Sequence, residues 1–187
     1  SDDDFITMLY AAFFGREPDE SGYKTWQNAL ENGMSREWVF THFVSSPEFA
    51  DTCKALGIEA GTYKAQDPRD EKLQVTAYVN RLYQTCLGRR GEARGINAWT
   101  NLLNRKQQTP KQVASGFVFS KEFIAKNYNN TDYVKQLYRA FMGREFDKQG
   151  LDTWVNLLNA GKMNREQVFN GFADSPEFAA IIKSFGL

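Results

Sequence analysis

The chain contains few side chains whose type and spacing could carry out chemistry. His42 is the only histidine in the 187 residues. A single histidine without a paired nucleophile or a second ligand argues against a catalytic triad and against a zinc site. Glu17, Glu20 and Glu31 could act as acids in glycoside hydrolysis, but nothing in their spacing singles out an acid and base pair. The sequence therefore predicts a protein that is not an enzyme and that has no metal or other cofactor.

Charged residues that recur along the chain are the next candidates. Three arginines and three glutamates occupy matching positions: Arg16, Arg89 and Arg144, and Glu48, Glu122 and Glu177. A guanidinium that follows one helix can form a bidentate pair with a carboxylate that opens another. We interpret these residues as structural ion pairs, with a ligand-binding role as the alternative.

These residues lie in three copies of one helical unit. Aligning the chain on Trp26, Trp99 and Trp154 gives copy 1 (residues 1–58), a connection (59–75), copy 2 (76–128) and copy 3 (129–187). Self-similarity at this scale is typical of stacked helical repeats. The three tryptophans follow the apolar stripe of each copy, so we expect them to be core anchors.

The pattern in each copy predicts four short helices and no strand. Paired apolar residues recur at helical spacing in the first helix, which a glycine ends at Gly15, Gly88 and Gly143. The fourth helix opens with Ser-x-Glu-Phe in every copy, where serine is a good N-cap and glutamate favours the first turn. We predict an all-α fold of three tandem four-helix units.

Composition and charge exclude several classes of protein. With 23 basic and 23 acidic residues, the balance argues against nucleic-acid binding, and no apolar run is long enough for insertion into a membrane. The charge is nevertheless uneven, since copy 1 has a net −6 and copy 2 a net +7. Acidic copy 1 could dock on basic copy 2, or basic residues such as Arg90 and Arg94 could receive an anionic ligand. No signal peptide opens the chain, which suggests a mature or excised fragment.

The two cysteines, Cys53 and Cys86, do not form a disulfide framework. Both align with apolar residues of the other copies, which indicates small core residues. The sequence leaves open whether the two pair with each other.

Aromatic residues that do not recur are better candidates for binding, because the shared core does not require them. They are Trp38, Tyr63, Phe119, Tyr128 and Phe146. Exposed aromatic rings with a polar rim are how many non-catalytic modules hold sugar rings or partner proteins. The alternative is that each ring packs against a neighbouring copy.

The repeated signature resembles the bacterial domain of unknown function 4214 family. It consists of Leu-Tyr, Gly-Arg, Trp and Ser-x-Glu-Phe, and copy 1 carries it most fully; copy 2 departs at Gly91, Glu92 and Lys106. The resemblance implies a module of a larger secreted or cell-surface bacterial protein. We therefore expect an extracellular binding module for a glycan or cell-wall polysaccharide. The alternative is a protein-interaction, assembly or adhesion module that contacts a host protein or another part of its parent chain.

Overall fold

A computed structural model describes residues 1–187, and each copy folds into four α-helices with no strand, which confirms the predicted fold class. Copy 1 contains α1 (Asp2–Phe14), α2 (Glu20–Glu31), α3 (Arg36–Val44) and α4 (Pro47–Ala55). Copy 2 contains α5 (Leu73–Leu82), α6 (Ala93–Asn104), α7 (Pro110–Val118) and α8 (Lys121–Ala125). Copy 3 contains α9 (Asn130–Leu137), α10 (Lys148–Asn159), α11 (Arg165–Ala173) and α12 (Pro176–Ser184). None of these helices combines the length and apolar character that crossing a bilayer requires.

Local capping chemistry sets the helix starts. The serine of each Ser-x-Glu-Phe motif is an N-cap whose hydroxyl accepts a hydrogen bond from the backbone N–H of the phenylalanine, at 3.1 Å in all three copies. Asp19 and Asp147 cap α2 and α10 in the same way, by accepting from the N–H of the glycine three residues on. Glu92, at the equivalent position of copy 2, forms no side-chain cap. The helix boundaries thus follow from residues within one turn of each start.

The first helix ends differently in copy 1 and in the other two copies. Gly15, Gly88 and Gly143 all adopt the left-handed conformation that closes a helix. In copies 2 and 3, however, the last turn before the glycine is π-helical, over Tyr83–Leu87 and Tyr138–Met142. The sequence did not predict these turns, because an i to i+5 hydrogen bond leaves no pattern of its own.

The apolar core is divided unequally. One cluster of 26 buried residues runs continuously through copies 2 and 3, with Tyr78 and Phe141 among its fully buried members. A separate cluster of six buried residues lies within copy 1, around Leu9 and Phe43. Copies 2 and 3 therefore share one core, while copy 1 has its own. The two cysteines are buried and free, and burial raises the pKa of the Cys86 thiol to about 12.

Residues Pro68–Asp70 of the connection form a short 3₁₀ turn. The last three residues of the connection, 73–75, already belong to α5. Polar contacts fix this turn to both neighbouring copies. On the copy 2 side, the Asn97 side chain accepts from the backbone N–H of Arg69 at 3.1 Å. On the copy 1 side, Asp70 accepts from both the backbone N–H and the hydroxyl of Ser35. The second half of the connection is therefore hydrogen-bonded to both copy 1 and copy 2.

Candidate functional site

Each repeated tryptophan belongs to a compact structural cluster. In copy 1 the Trp26 indole N–H donates to the Tyr10 hydroxyl at 3.3 Å. That hydroxyl lies against the second helix at Gly22, where an added Cβ would be only 2.1 Å from the oxygen. The same 2.1 Å approach occurs between the equivalent tyrosine and glycine of copies 2 and 3. The repeated tryptophan and tyrosine thus pack inside their own copy and offer no common ligand site.

The repeated arginines also serve the fold. Arg16 donates two hydrogen bonds to the Glu48 carboxylate, at 2.9 and 3.0 Å, and Arg89 does the same to Glu122, at 2.7 and 2.8 Å. Each guanidinium also lies over the repeated tyrosine ring, 5.0 Å from its centroid in copy 1 and 5.1 Å in copy 2. The hydrogen bonds from arginine lower the pKa of both glutamates. These pairs tie the end of the first helix to the start of the fourth.

The third pair, between Arg144 and Glu177, is not formed, so the sequence interpretation was wrong in copy 3. Arg144 instead donates to Asp147 at 3.4 Å and to the backbone carbonyl of Glu145 at 3.3 Å. Its guanidinium keeps its place over Tyr138, 5.3 Å from the ring centroid. Because Arg144 and both carboxylates are exposed, exchanging one partner for the other changes the free energy little.

The five non-recurring aromatic residues do not share a surface. Phe119 packs edge-on against Phe169 of copy 3, with ring centroids 5.3 Å apart. Tyr128 packs in the same manner on Phe123, at 5.5 Å, and the Phe146 ring lies 5.3 Å from the Lys135 ammonium. Phe119 thus follows the alternative that a ring packs against a neighbouring copy, whereas Tyr128 and Phe146 contact residues of their own copy. Tyr63 lies against Phe40 of α3, with ring centroids 5.3 Å apart, while Trp38 contacts Trp26 and His42.

Half-buried Trp38 packs against the copy 1 core and against exposed His42, one turn later on α3. The His42 ring centroid is 3.9 Å from that of Trp38 and 5.9 Å from that of Trp26. Copies 2 and 3 have glycine at the position of His42, and a Cβ on either glycine would lie 2.6 Å from the tryptophan ring of its copy. Copy 1 is therefore the copy in which this position carries a side chain, and that side chain faces outward beside Trp38.

Two open clefts flank Trp38. The first has a volume of about 580 Å³ and lies between α3, the connection and the end of α6. Its lining includes His42, Thr41, Gln66, Asp67, Glu71 and Arg105. The second has a volume of about 550 Å³ and lies between α2, α5 and the end of α12. Its lining includes Asn28, Asn32, Leu73, Gln74 and Phe185. Trp38 lines both clefts, so it separates them as a ridge.

Three carboxylates meet beside the first cleft, with oxygens within 4.8 Å of one another: Glu37, Asp67 and Asp70. Each already accepts a hydrogen bond. Tyr63 donates its hydroxyl to Glu37 at 2.6 Å, Asn97 donates to Asp67 at 3.1 Å, and Ser35 donates to Asp70. Burial raises the pKa of Asp70, and the hydrogen bonds from Ser35 oppose that shift. The cluster holds the connection against copy 1.

Of the two arginines of copy 2 singled out in the sequence, Arg90 takes the docking role and Arg94 makes no contact that assigns it a role. Arg90 lies between Asp2 and Glu31 of copy 1, at 3.8 and 3.7 Å, so it docks the basic copy on the acidic one. Arg94 is exposed in the first turn of α6 and forms no ion pair. The structure does not bring either arginine into the clefts beside Trp38.

His42 was not predicted to belong to a binding site. A usable signal was present, since His42 and Trp38 are four residues apart on one helix and both replace small or polar residues of the other copies. The sequence could not predict that Asp67 and Asp70 lie beside Glu37, because this proximity depends on the path that the connection takes in the folded chain.

Fold and repeat pattern together define an all-α tandem-repeat protein. The sequence model of the domain of unknown function DUF4214 matches the chain three times, over residues 1–53, 63–127 and 114–182. The chain therefore belongs to the DUF4214 family and consists of three tandem members of it. Comparison with curated proteins finds no match, and neither does comparison with solved structures.

Proposed function

We propose that this chain is a non-catalytic carbohydrate-binding module whose sugar site is the pair of clefts on either side of Trp38. The observation that carries this proposal is that Trp38 lines both clefts. A partly exposed indole between two open clefts offers its ring to the apolar face of a pyranose, and two clefts accommodate successive sugar units of a chain.

Polar groups around Trp38 suit the hydroxyl groups of a sugar. Thr41 and Gln66 line the first cleft, and Asn28, Asn32 and Gln74 line the second. Hydroxyl and amide side chains both donate and accept hydrogen bonds, as sugar hydroxyls do. A stacking ring with a few such groups is the usual composition of a small-molecule site.

The charges around the clefts favour a neutral polysaccharide over an acidic one. Arg105 is paired with Glu71 at 3.7 Å, and Asp67 stands on the same rim. Arg90, one of the candidates for an anionic ligand, is engaged with copy 1. The resemblance to bacterial surface modules adds the setting: a polysaccharide outside the cell or in the wall, bound by a domain of a larger secreted protein.

The carboxylates near Trp38 support a binding role without hydrolysis. Glu37, Asp67 and Asp70 accept hydrogen bonds from Tyr63, Asn97 and Ser35 and thereby hold the connection. A glycosidase needs two carboxyl groups free to exchange protons with the substrate and water. Incubation with the polysaccharides that bind should therefore release no reducing sugar.

The test is affinity electrophoresis of the whole chain in gels that contain neutral or acidic polysaccharides. Trp38→Gln installs the residue that copies 2 and 3 carry at this position, Gln112 and Gln167, so the fold has precedent for it. We expect affinity to fall about tenfold or more, since a stacked aromatic contributes on this scale. His42→Gly, the residue of Gly116 and Gly171, should weaken binding less.

Phe119→Ser is the matched control, because it makes the same kind of reversion, to the Ser45 of copy 1, at an aromatic that lies outside both clefts. It should leave retention unchanged. A wild-type chain that no polysaccharide retains would refute the proposal, as would a Trp38→Gln variant that binds as tightly as the wild type.

A further inference from the structure

Copy 1 exposes an apolar face that is covered in copy 3. Met8 on α1 is 50% exposed, and beyond the end of α4, Leu56 is 70% and Ile58 59% exposed. Ala12, one turn after Met8, is exposed as well. We call Met8, Ala12, Leu56 and Ile58 the copy 1 face. None of them lines the clefts beside Trp38.

The equivalent residues of copy 3 show what can cover such a face. Alignment on the first and fourth helices places Ala140, Phe185 and Leu187 at the positions of Ala12, Leu56 and Ile58. Ala140 is 1% exposed, and Phe185 and Leu187 pack against the core shared with copy 2. In copy 3, therefore, the surface of another repeat of the same family covers these positions.

The contact between copies 2 and 3 is made in both directions. Tyr78 of copy 2 meets Phe185 of copy 3, with ring centroids 5.7 Å apart, and Tyr133 of copy 3 meets Phe123 of copy 2 at 6.2 Å. Tyr78 and Tyr133 are equivalent positions on the first helix of each copy. The partners of these two tyrosines differ, since Phe185 aligns with Leu56 and Phe123 with Phe49. The two-fold feature of the contact is that the equivalent π-helical turns, Tyr83–Leu87 and Tyr138–Met142, pack against each other.

Copy 1 exposes the corresponding positions of its first helix and of the region after its fourth helix. Met8 aligns with Arg81, whose guanidinium reaches across to the backbone carbonyls of Arg139 and Ala140 in copy 3. In copy 1 the position is apolar and faces solvent, and Leu56 stands where Phe185 makes its contact. First helices that meet at equivalent turns use the same surface on both sides, so this surface of copy 1 can pair with a second copy of itself.

We propose that this chain forms a two-fold dimer through the copy 1 face, so that two copy 1 units pack against each other as copies 2 and 3 do within the chain. Met8 of one chain would then lie near Ala12 of its partner, and Leu56 near the first helix of its partner. The interface buries Met8, Leu56 and Ile58, which are 50%, 70% and 59% exposed in the single chain.

The test is the weight-average mass of the whole chain by sedimentation or light scattering between about 1 and 100 μM, the range in which a modest interface associates. We expect the mass to rise toward twice that of one chain. A double variant, Leu56→Lys with Ile58→Lys, should weaken association at least tenfold. Both positions are largely exposed, so the variant should fold, which circular dichroism would check.

Ile124→Lys is the matched control. Ile124 is 63% exposed on α8, outside the copy 1 face, so this variant should associate like the wild type. A chain that stays monomeric throughout the range would overturn the proposal. So would a dimer that the double lysine variant leaves intact.

The arrangement is tested separately by mixing Met8→Cys chains with Ala12→Cys chains under mild oxidation. The proposed dimer brings these two positions together, so a cross-linked species should form, and it should be absent when the double lysine change is added. Association without this cross-link would contradict the proposed packing.

Discussion

The two joints between copies, that of copies 1 and 2 and that of copies 2 and 3, differ in their chemistry. Copies 2 and 3 meet through buried side chains that belong to one continuous core, including Val79 and Leu137. Copies 1 and 2 meet through polar groups: Asn80 donates to the Glu31 carbonyl at 2.7 Å, Ser35 donates to Asp70, and Arg90 lies between two acids of copy 1. One repeat unit thus supports two kinds of joint.

The difference teaches that the joint depends on residues outside the repeated signature. The signature packs each copy internally, through the tyrosine, glycine and tryptophan that recur in all three. The polar joint uses residues that copy 1, copy 2 and the connection hold individually, such as Asp70 and Asn80. Copy 1 can therefore carry a distinct surface around Trp38 without altering the core of copies 2 and 3.

The largest test of this comparison truncates equivalent core leucines. Leu9 in copy 1 is 1% exposed and Leu82 in copy 2 is fully buried. Either leucine to alanine should cost about 2–5 kcal/mol. Leu82→Ala should lower the stability of copies 2 and 3 together, whereas Leu9→Ala should act on copy 1. Hydrogen exchange mapped along the chain in urea distinguishes them, and equal loss of protection in all three copies from either change would show a single cooperative unit instead.

A second test adds a methyl group to the glycine that lies against the repeated tyrosine hydroxyl. In Gly22→Ala or Gly150→Ala the new Cβ would lie 2.1 Å from the tyrosine hydroxyl, and the overpacking should cost about 1–3 kcal/mol. The loss from Gly22→Ala should stay within copy 1, while that from Gly150→Ala should extend into copy 2. Adding Tyr138→Phe to Gly150→Ala should restore part of the stability measured by urea unfolding. Failure of this rescue would mean that another contact causes the loss.

A third test addresses the polar joint itself. Asn80 is 1% exposed and bridges the Glu31 carbonyl and the backbone N–H of Gly91. Asn80→Ala should reduce stability by about 1–2 kcal/mol, because it leaves buried groups without partners. Hydrogen exchange should increase at the end of α2 first. The comparison variant is Lys111→Ala, which removes the exposed bridge to Asp174 between copies 2 and 3 and should have a smaller effect.

The smallest expected effect comes from the repeated arginines. Arg89→Ala removes the bidentate bond to Glu122 and should lower the melting temperature slightly, while Arg144→Ala should do so less because its pair is absent. The pKa of Glu122 is lowered from its ordinary value of 4.5, so this contribution is present above that pH and is lost as the pH falls through the lowered value. Melting curves from neutral pH to about pH 3 should therefore converge for wild type and Arg89→Ala. A constant gap between them would exclude the ion pair as the cause.

Much of the fold could be predicted because its signals are local. A serine cap, a glycine that closes a helix and an apolar stripe act over one or two turns, and all of them lie in the sequence. Even Lys106, which replaces the glycine of the other copies, adopts a left-handed φ of 55°. The backbone at Lys106 thus follows that of Gly33 and Gly161, although its residue type departs from the repeat.

The remainder depends on contacts between distant segments. Arg144 has two carboxylates within reach at an exposed position, and the sequence cannot choose between them. Nor can it tell which joint is apolar, because the buried faces of all three copies carry similar residues. The cluster around Trp38 was predicted in part, by the absence of that tryptophan from copies 2 and 3, whereas its neighbours in the connection came only from the structure.

The close contact between the tyrosine hydroxyl and the second-helix glycine also fixes a sequence spacing by which repeats can be counted. Tyrosine and glycine are twelve residues apart in every copy, at Tyr10 and Gly22, Tyr83 and Gly95, and Tyr138 and Gly150, and the tryptophan follows four residues later. Since any larger residue would collide with the hydroxyl, this spacing is a physical requirement of the unit. Reading it along a longer chain counts the folded repeats even where the loops between them differ in length.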